Sequence, residues 1–124
     1  MVEYVISLDK LGAHDVERVG GKNASLGEMI SNLAHAGVSV PGGFATTAQA
    51  YRDFLELSGL NDQIHDALDA LDVDDVNALA KAGAKIRQSI MEAEFPERLN
   101  EEIRRAFAEM SAGNQHMAVA VRSS

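Results

Sequence analysis

Asp15-Val16-Glu17-Arg18-Val19-Gly20-Gly21-Lys22-Asn23-Ala24-Ser25-Leu26-Gly27-Glu28-Met29 sets a pair of glycines and a lysine at the start of a helical pattern. From Leu26 onward, Met29, Ile30, Leu33 and Ala34 recur at intervals of three and four, the apolar stripe of a helix that ends near Gly37. Glycines in front of a helix leave backbone N–H groups free at its positive end, where an anion is favoured, and Lys22 adds a cation at the same place. The arrangement is phosphate-binding in kind. It is not a P-loop, which requires glycine where Val16 stands and Ser or Thr where Asn23 stands. On spacing alone, a glycine turn followed by a solvated lysine is the commoner origin of Gly-Gly-Lys.

Toward the amino terminus, Val2, Tyr4, Ile6 and Leu8 approximate the two-residue alternation of a strand, closed by Leu11-Gly12, with a loop running on through Gly20-Gly21. In the other direction, Pro41 pushes Val40 into an extended conformation, and Gly42-Gly43 permits a turn. Thr46 or Thr47 caps the next helix, which presents Ala50, Tyr51, Phe54 and Leu55 and stops at Gly59. A shorter helix is expected around Asp62 to Leu71, and a long helical segment from Asp74 or Asp75 through Ile90, with Gly83 inside it. Pro96 suits the first turn of a last helix, near Pro96 to Met110, whose apolar face is Leu99, Ile103, Ala106, Phe107 and Met110. Met117-Ala118-Val119-Ala120-Val121 reads as a buried strand, followed by Arg122-Ser123-Ser124. The fold class expected is α+β, mostly helical with a few short strands, in one domain or part of one. An end directly after the most hydrophobic strand suggests truncation after Ser124.

Composition narrows the partners. The chain has 124 residues, 46% hydrophobic and 24% charged, which is ordinary for a folded domain. A formal charge of −8 argues against nucleic acid or an anionic membrane as partner, because both require clustered Lys and Arg. A nucleotide is compatible with it, since one or two local cations and backbone N–H groups suffice for phosphates. The absence of cysteine excludes disulfides, thiolate zinc sites and a cysteine nucleophile, and fits a reducing compartment. No basic leader or apolar run of about 18 residues is present, so a soluble, cytoplasmic protein is expected.

Few residues offer chemistry of their own. His14, His35, His65 and His116 match no metal-ligand spacing. Asp72-Val73-Asp74-Asp75 opens like a calcium loop but lacks the glycine and the bidentate Glu that would follow, and reads better as a helix-capping cluster. Ser25, Ser123 and Ser124 have no identifiable base beside them, so no catalytic residue and no metal ligand is assigned. Arg122, at the end of its strand, could reach a phosphate with a planar fork of donors, although a surface arginine is the commoner case.

Four blocks, in order and at matching spacing, resemble the pyruvate phosphate dikinase family of nucleotide-binding domains. They are Asp15 to Met29; Val40-Pro41-Gly42-Gly43-Phe44-Ala45-Thr46-Thr47 with Ala50-Tyr51; Leu71 to Val76; and Val119-Ala120-Val121-Arg122-Ser123-Ser124. The resemblance spans essentially the whole chain. It implies that residues 1–124 are the first portion of an ATP-grasp-like domain. The family uses ATP and magnesium to phosphorylate a histidine on a swivelling domain, and the phosphohistidine donates onward in a barrel-shaped domain. The wording of the Asp72 block and of Gly42 to Thr47 favours the branch that converts pyruvate, ATP and water to phosphoenolpyruvate, AMP and phosphate. Pyruvate phosphate dikinase itself, a rifampicin phosphotransferase-like enzyme, or a non-catalytic nucleotide-binding module are the alternatives. By the resemblance, Lys22 and Arg122 contact the ATP phosphates, while Gly20 and Gly21 allow close backbone approach and the Pro41 block shapes the turn beneath. His14 departs from the family pattern, where an apolar residue is expected. The Mg2+ ligands, the phosphohistidine and the pyruvate site would lie beyond Ser124, so the isolated chain is expected to be inactive and its parent to be a homo-oligomer.

Overall fold

In a computed structural model, residues 3–38, 41–112 and 117–124 are described. They form six helices and a two-stranded antiparallel sheet among those residues, so the fold is α+β and mostly helical. The chain divides into two compact units, residues 1–51 with 97–124, and residues 52–96.

The first unit is built on the short sheet. Strand β1 (Val5–Ser7) pairs with β2 (Phe44–Thr46) in the register Val5 to Thr46, Ile6 to Ala45 and Ser7 to Phe44. Ile6, Leu8, Leu11, Val19, Ile30 and Ala45 form one buried cluster, with Leu26 packed against it. Helix α1 (Val16–Val19) and helix α2 (Gly21–His35) follow two 3-10 turns, Leu8–Lys10 and Ala13–Asp15. Helix α2 approaches the first of these turns so closely that a Cβ on Gly27 would lie 2.6 Å from the Leu11 carbonyl oxygen and 2.8 Å from that of Leu8. Only a residue without a side chain fits there.

Helix α3 (Ala48–Leu57) starts in this unit. Thr47 is its cap: its Oγ1 accepts from the Ala50 N–H at 3.2 Å and donates to the Glu3 carbonyl at 2.8 Å. A second cluster joins Tyr4, Ala50 and Leu99, with Val5 and Ile103 beside it, and so packs helix α6 (Glu97–Ser111) on β1. The Arg98 guanidinium lies 3.9 Å from the centre of the Tyr4 ring, and its Nε donates to Glu102 at 2.8 Å.

The second unit holds the rest of α3, helix α4 (Leu60–Asp69) and helix α5 (Val76–Glu92). Gly59, at φ +74, makes the left-handed turn between α3 and α4. Asp75 caps α5 by accepting from the Ala78 N–H at 3.1 Å. Phe54 and Phe95 meet edge to face with ring centres 5.5 Å apart.

Three sequence expectations are corrected. The first strand covers only Val5–Ser7, because the chain turns into a 3-10 helix at Leu8, whose N–H is claimed by the Gly43 carbonyl at 2.9 Å. The stretch from Ala13 to Gly20, read as loop, is a 3-10 turn and a helical turn, stabilised by a carboxylate described below. Met117–Val121 is not a strand and is not buried: no ladder partner lies beside it among the described residues, Val121 is 92% exposed and Val119 is 47% exposed. Its apolar pattern therefore finds no sheet to complete. The expected extended residues Ser39 and Val40, together with part of the loop after α6, fall outside the described residues.

Candidate phosphate-binding site at the start of helix α2

Gly20 is the pivot. Its N–H closes α1 on the Val16 carbonyl at 2.8 Å, and its own carbonyl receives the Ala24 N–H at 3.1 Å to open α2. Between these two bonds the backbone reverses at φ +86, ψ 162, a combination open essentially to glycine alone. One glycine thus ends one helix and begins another, leaving the first amide groups of α2 directed outward without an intrahelical acceptor.

No acidic side chain from its own first turn offsets that positive end, and Gly20 provides no side-chain cap. Gly21 and Lys22 are exposed, and a Cβ on Gly21 would meet nothing within 4 Å. Asn23 is turned away, its Nδ2 donating to the Val19 carbonyl at 2.9 Å. The amides and the Lys22 ammonium therefore make this helix start a candidate cradle for an anion.

The far end of the chain reaches the same place. Lys22 Nζ donates to Ser123 Oγ at 3.1 Å. Ser124 lies on Gly20, where a Cβ would stand 2.8 Å from Ser124 Cβ and 2.9 Å from its Oγ. Of the four sequence-derived residues, Gly20, Gly21 and Lys22 lie together at the helix start, and Arg122 directly precedes the two serines that reach it. The guanidinium of Arg122 is exposed and donates to the Ser123 carbonyl at 3.3 Å. Sequence reasoning gave Ser123 and Ser124 no role, and 101 positions separate the partners, so only their place directly after Arg122 hinted at it.

A buried carboxylate supports the cradle from below. Asp15, 2% exposed, accepts from the Gly12 N–H at 2.9 Å and from Arg18 Nη1 at 3.0 Å, with His14 Nε2 at 3.5 Å. The Gly12 N–H above all, helped by Arg18 and His14, holds its carboxyl below the usual range against the opposing effect of burial. Glu28 adds a strap from α2, accepting from the Ala13 N–H at 3.0 Å. These contacts tie the turn, α1 and α2 into one support.

N–H donors and a cation are the chemistry that receives an anion. No group of three or more His, Asp or Glu side chains able to hold a cation occurs among the described residues, and the groups at the cradle are cations and N–H donors. No helix among the described residues is long and apolar enough to cross a membrane.

The sequence family described as pyruvate phosphate dikinase, AMP/ATP-binding domain, matches residues 16–124. A phosphoenolpyruvate synthase of Pseudomonas aeruginosa is 82% identical over 124 residues, all of this chain and 16% of that protein. A phosphoenolpyruvate synthase of Escherichia coli is 56% identical over 120 residues, covering 97% of this chain, and one of Neisseria meningitidis is 58% identical over 123 residues, covering 98%. The chain spans 15% and 16% of the length of these two relatives, respectively. The match takes in both halves of the cradle, Gly20 to Lys22 and Arg122 to Ser124, and the chain belongs to the pyruvate phosphate dikinase AMP/ATP-binding domain family.

Proposed function

We propose that this chain is the ATP-binding portion of a phosphoenolpyruvate synthase, the first part of an ATP-grasp-like domain in a longer cytoplasmic, homo-oligomeric enzyme. The observation that carries the reading is the meeting of Gly20, Lys22, Ser123 and Ser124 at a helix start whose first turn holds no acidic side chain. The family description, with its AMP/ATP-binding domain and its pyruvate phosphate dikinase, supports ATP at that site and pyruvate for the parent, and the relatives' names support a phosphoenolpyruvate synthase.

In this reading Lys22 and Arg122 are two cations that hold and neutralise the triphosphate, while the α2 amides receive its oxygens. Such holding is most of what phosphoryl transfer asks of a protein, since the reaction depends on alignment and on charge neutralisation. Gly20 and Gly21 keep side chains out of the approach. The histidine that takes the phosphoryl group, the pyruvate site and the ligands of the accompanying Mg2+ belong to the remainder of the parent, so this chain binds and does not turn over.

An amide NMR titration of the chain with Mg·ATP into the millimolar range tests this. Shifts are expected at Gly20 to Ser25 and at Arg122, and Lys22→Ala is expected to weaken them about tenfold, the loss of one charge-assisted contact. Shifts concentrated on other residues, or an undiminished response in Lys22→Ala, would remove Lys22 from the site.

A further inference from the structure

A lysine on the first turn of a helix is ordinarily free to sweep through several rotamers, and that freedom is lost when it grips a ligand. Lys22 differs in having a fixed neighbour. Ser123 Oγ accepts one of its three ammonium protons at 3.1 Å. Ser123 is held in turn on both sides, by Ser124 lying on Gly20 and by the Arg122 Nη1 contact with the Ser123 carbonyl at 3.3 Å. The lone-pair side of the hydroxyl is used by Lys22, which leaves its proton available to an acceptor outside.

We propose that Ser123 is a positioning residue for the phosphate site: it holds the Lys22 ammonium over the start of α2 and offers its own hydroxyl proton to the same phosphate group. The inference rests on the reading of this site as a triphosphate site and adds a residue to it. It gives Gly20, which its backbone conformation already restricts to glycine, a second reason to lack a side chain. A Cβ at Gly20 would lift Ser124, and with it Ser123, away from Lys22.

The chemistry distinguishes Ser123 from a packing residue. A hydroxyl that holds Lys22 and donates to phosphate affects polyphosphate binding and is replaceable by threonine, whereas a side chain that merely packs affects stability. The test compares the chain with Ser123→Ala, Ser123→Thr and Lys22→Ala, titrating each with Mg·ATP, inorganic tripolyphosphate and adenosine by amide NMR, with thermal melts alongside. The expected result is a loss of about 5- to 10-fold for ATP and tripolyphosphate in Ser123→Ala, the scale of one ordinary hydrogen bond at a solvent-exposed site. Adenosine binding and the melting midpoint stay unchanged, and Ser123→Thr restores the affinity. If Lys22→Ala weakens ATP while Ser123→Ala does not, the phosphate site stands and the role of Ser123 is overturned. A fall in the melting midpoint that accounts for the lost binding, without rescue by threonine, overturns it as well. A wild-type chain that responds to neither ATP nor tripolyphosphate removes the site and this inference together.

Discussion

Asp15 and Gly20 show how much single residues decide near the cradle. The carboxyl of Asp15 is held below its ordinary value of 3.8, chiefly by the Gly12 N–H, so the folded chain binds its proton less readily than the unfolded chain does. The stability this contributes is present above that ordinary value and is lost as pH falls through the lower folded value. Urea midpoints of Asp15→Asn are therefore expected to be lower than wild type at neutral pH and to decline less steeply between about pH 5 and pH 2. Parallel curves for the two proteins would contradict the assignment. Gly20 carries a backbone conformation that a side chain makes costly by about 1–3 kcal/mol. Gly20→Ala is expected to lose that much in denaturant unfolding and, in the same sample, to shift the amide resonances of residues 122–124, since Ser124 occupies the space the new methyl needs.

Between elements, the contact of α2 with the 3-10 turn at Leu8–Lys10 is set by Gly27. Alanine would raise intrinsic helix propensity by about 1 kcal/mol. Its Cβ, however, would stand 2.6 Å from a backbone oxygen that cannot swing aside, and overpacking of that kind costs about 1–3 kcal/mol. The packing term wins, and Gly27→Ala is expected to lower the unfolding midpoint although it sits in mid-helix. The helices were legible because their apolar spacing and stop signals are local: Gly37 and Gly59 stand at positive φ where a stop was read, and Thr47 and Asp75 cap as two of the four residues considered. The short elements were not legible. Three-residue strands hold too few residues to show a period, and β2 depends on β1, some 40 positions away. The helical character of Val16–Val19 depends on a buried carboxylate that no local pattern announces. Met117–Val121 misled because a hydrophobic run states what a segment would bury and not whether a partner is beside it. At the site the same division holds: Gly20 to Lys22 could be read from the start of a helix, while the arrival of Ser123 and Ser124 is long-range.

At the level of the whole molecule, the two units differ in how much apolar surface they bury. The first contains two buried clusters. The second buries only Phe54 and Leu60 among its large side chains, and α5 has no fully buried residue along its length. Amides open through local unfolding with free energies that follow such packing. Native-state hydrogen exchange is accordingly expected to protect the middle of α2 more strongly than the middle of α5, and equal protection would mean that packing within each unit does not set its stability. Finally, the bond from Lys22 to Ser123 closes a loop of 101 positions, and a loop of that length costs about 4 kcal/mol in chain entropy, beyond what one exposed hydrogen bond returns. Once Leu99 and Ile103 have docked α6 beside Tyr4, the stretch left to close from Ile103 is about 20 residues and the cost falls to about 3 kcal/mol. The α6 docking thus removes about 1 kcal/mol of the closure cost, so a substitution that loosens Leu99 is expected to weaken the contact of Lys22 with Ser123 as well as the packing beside Tyr4.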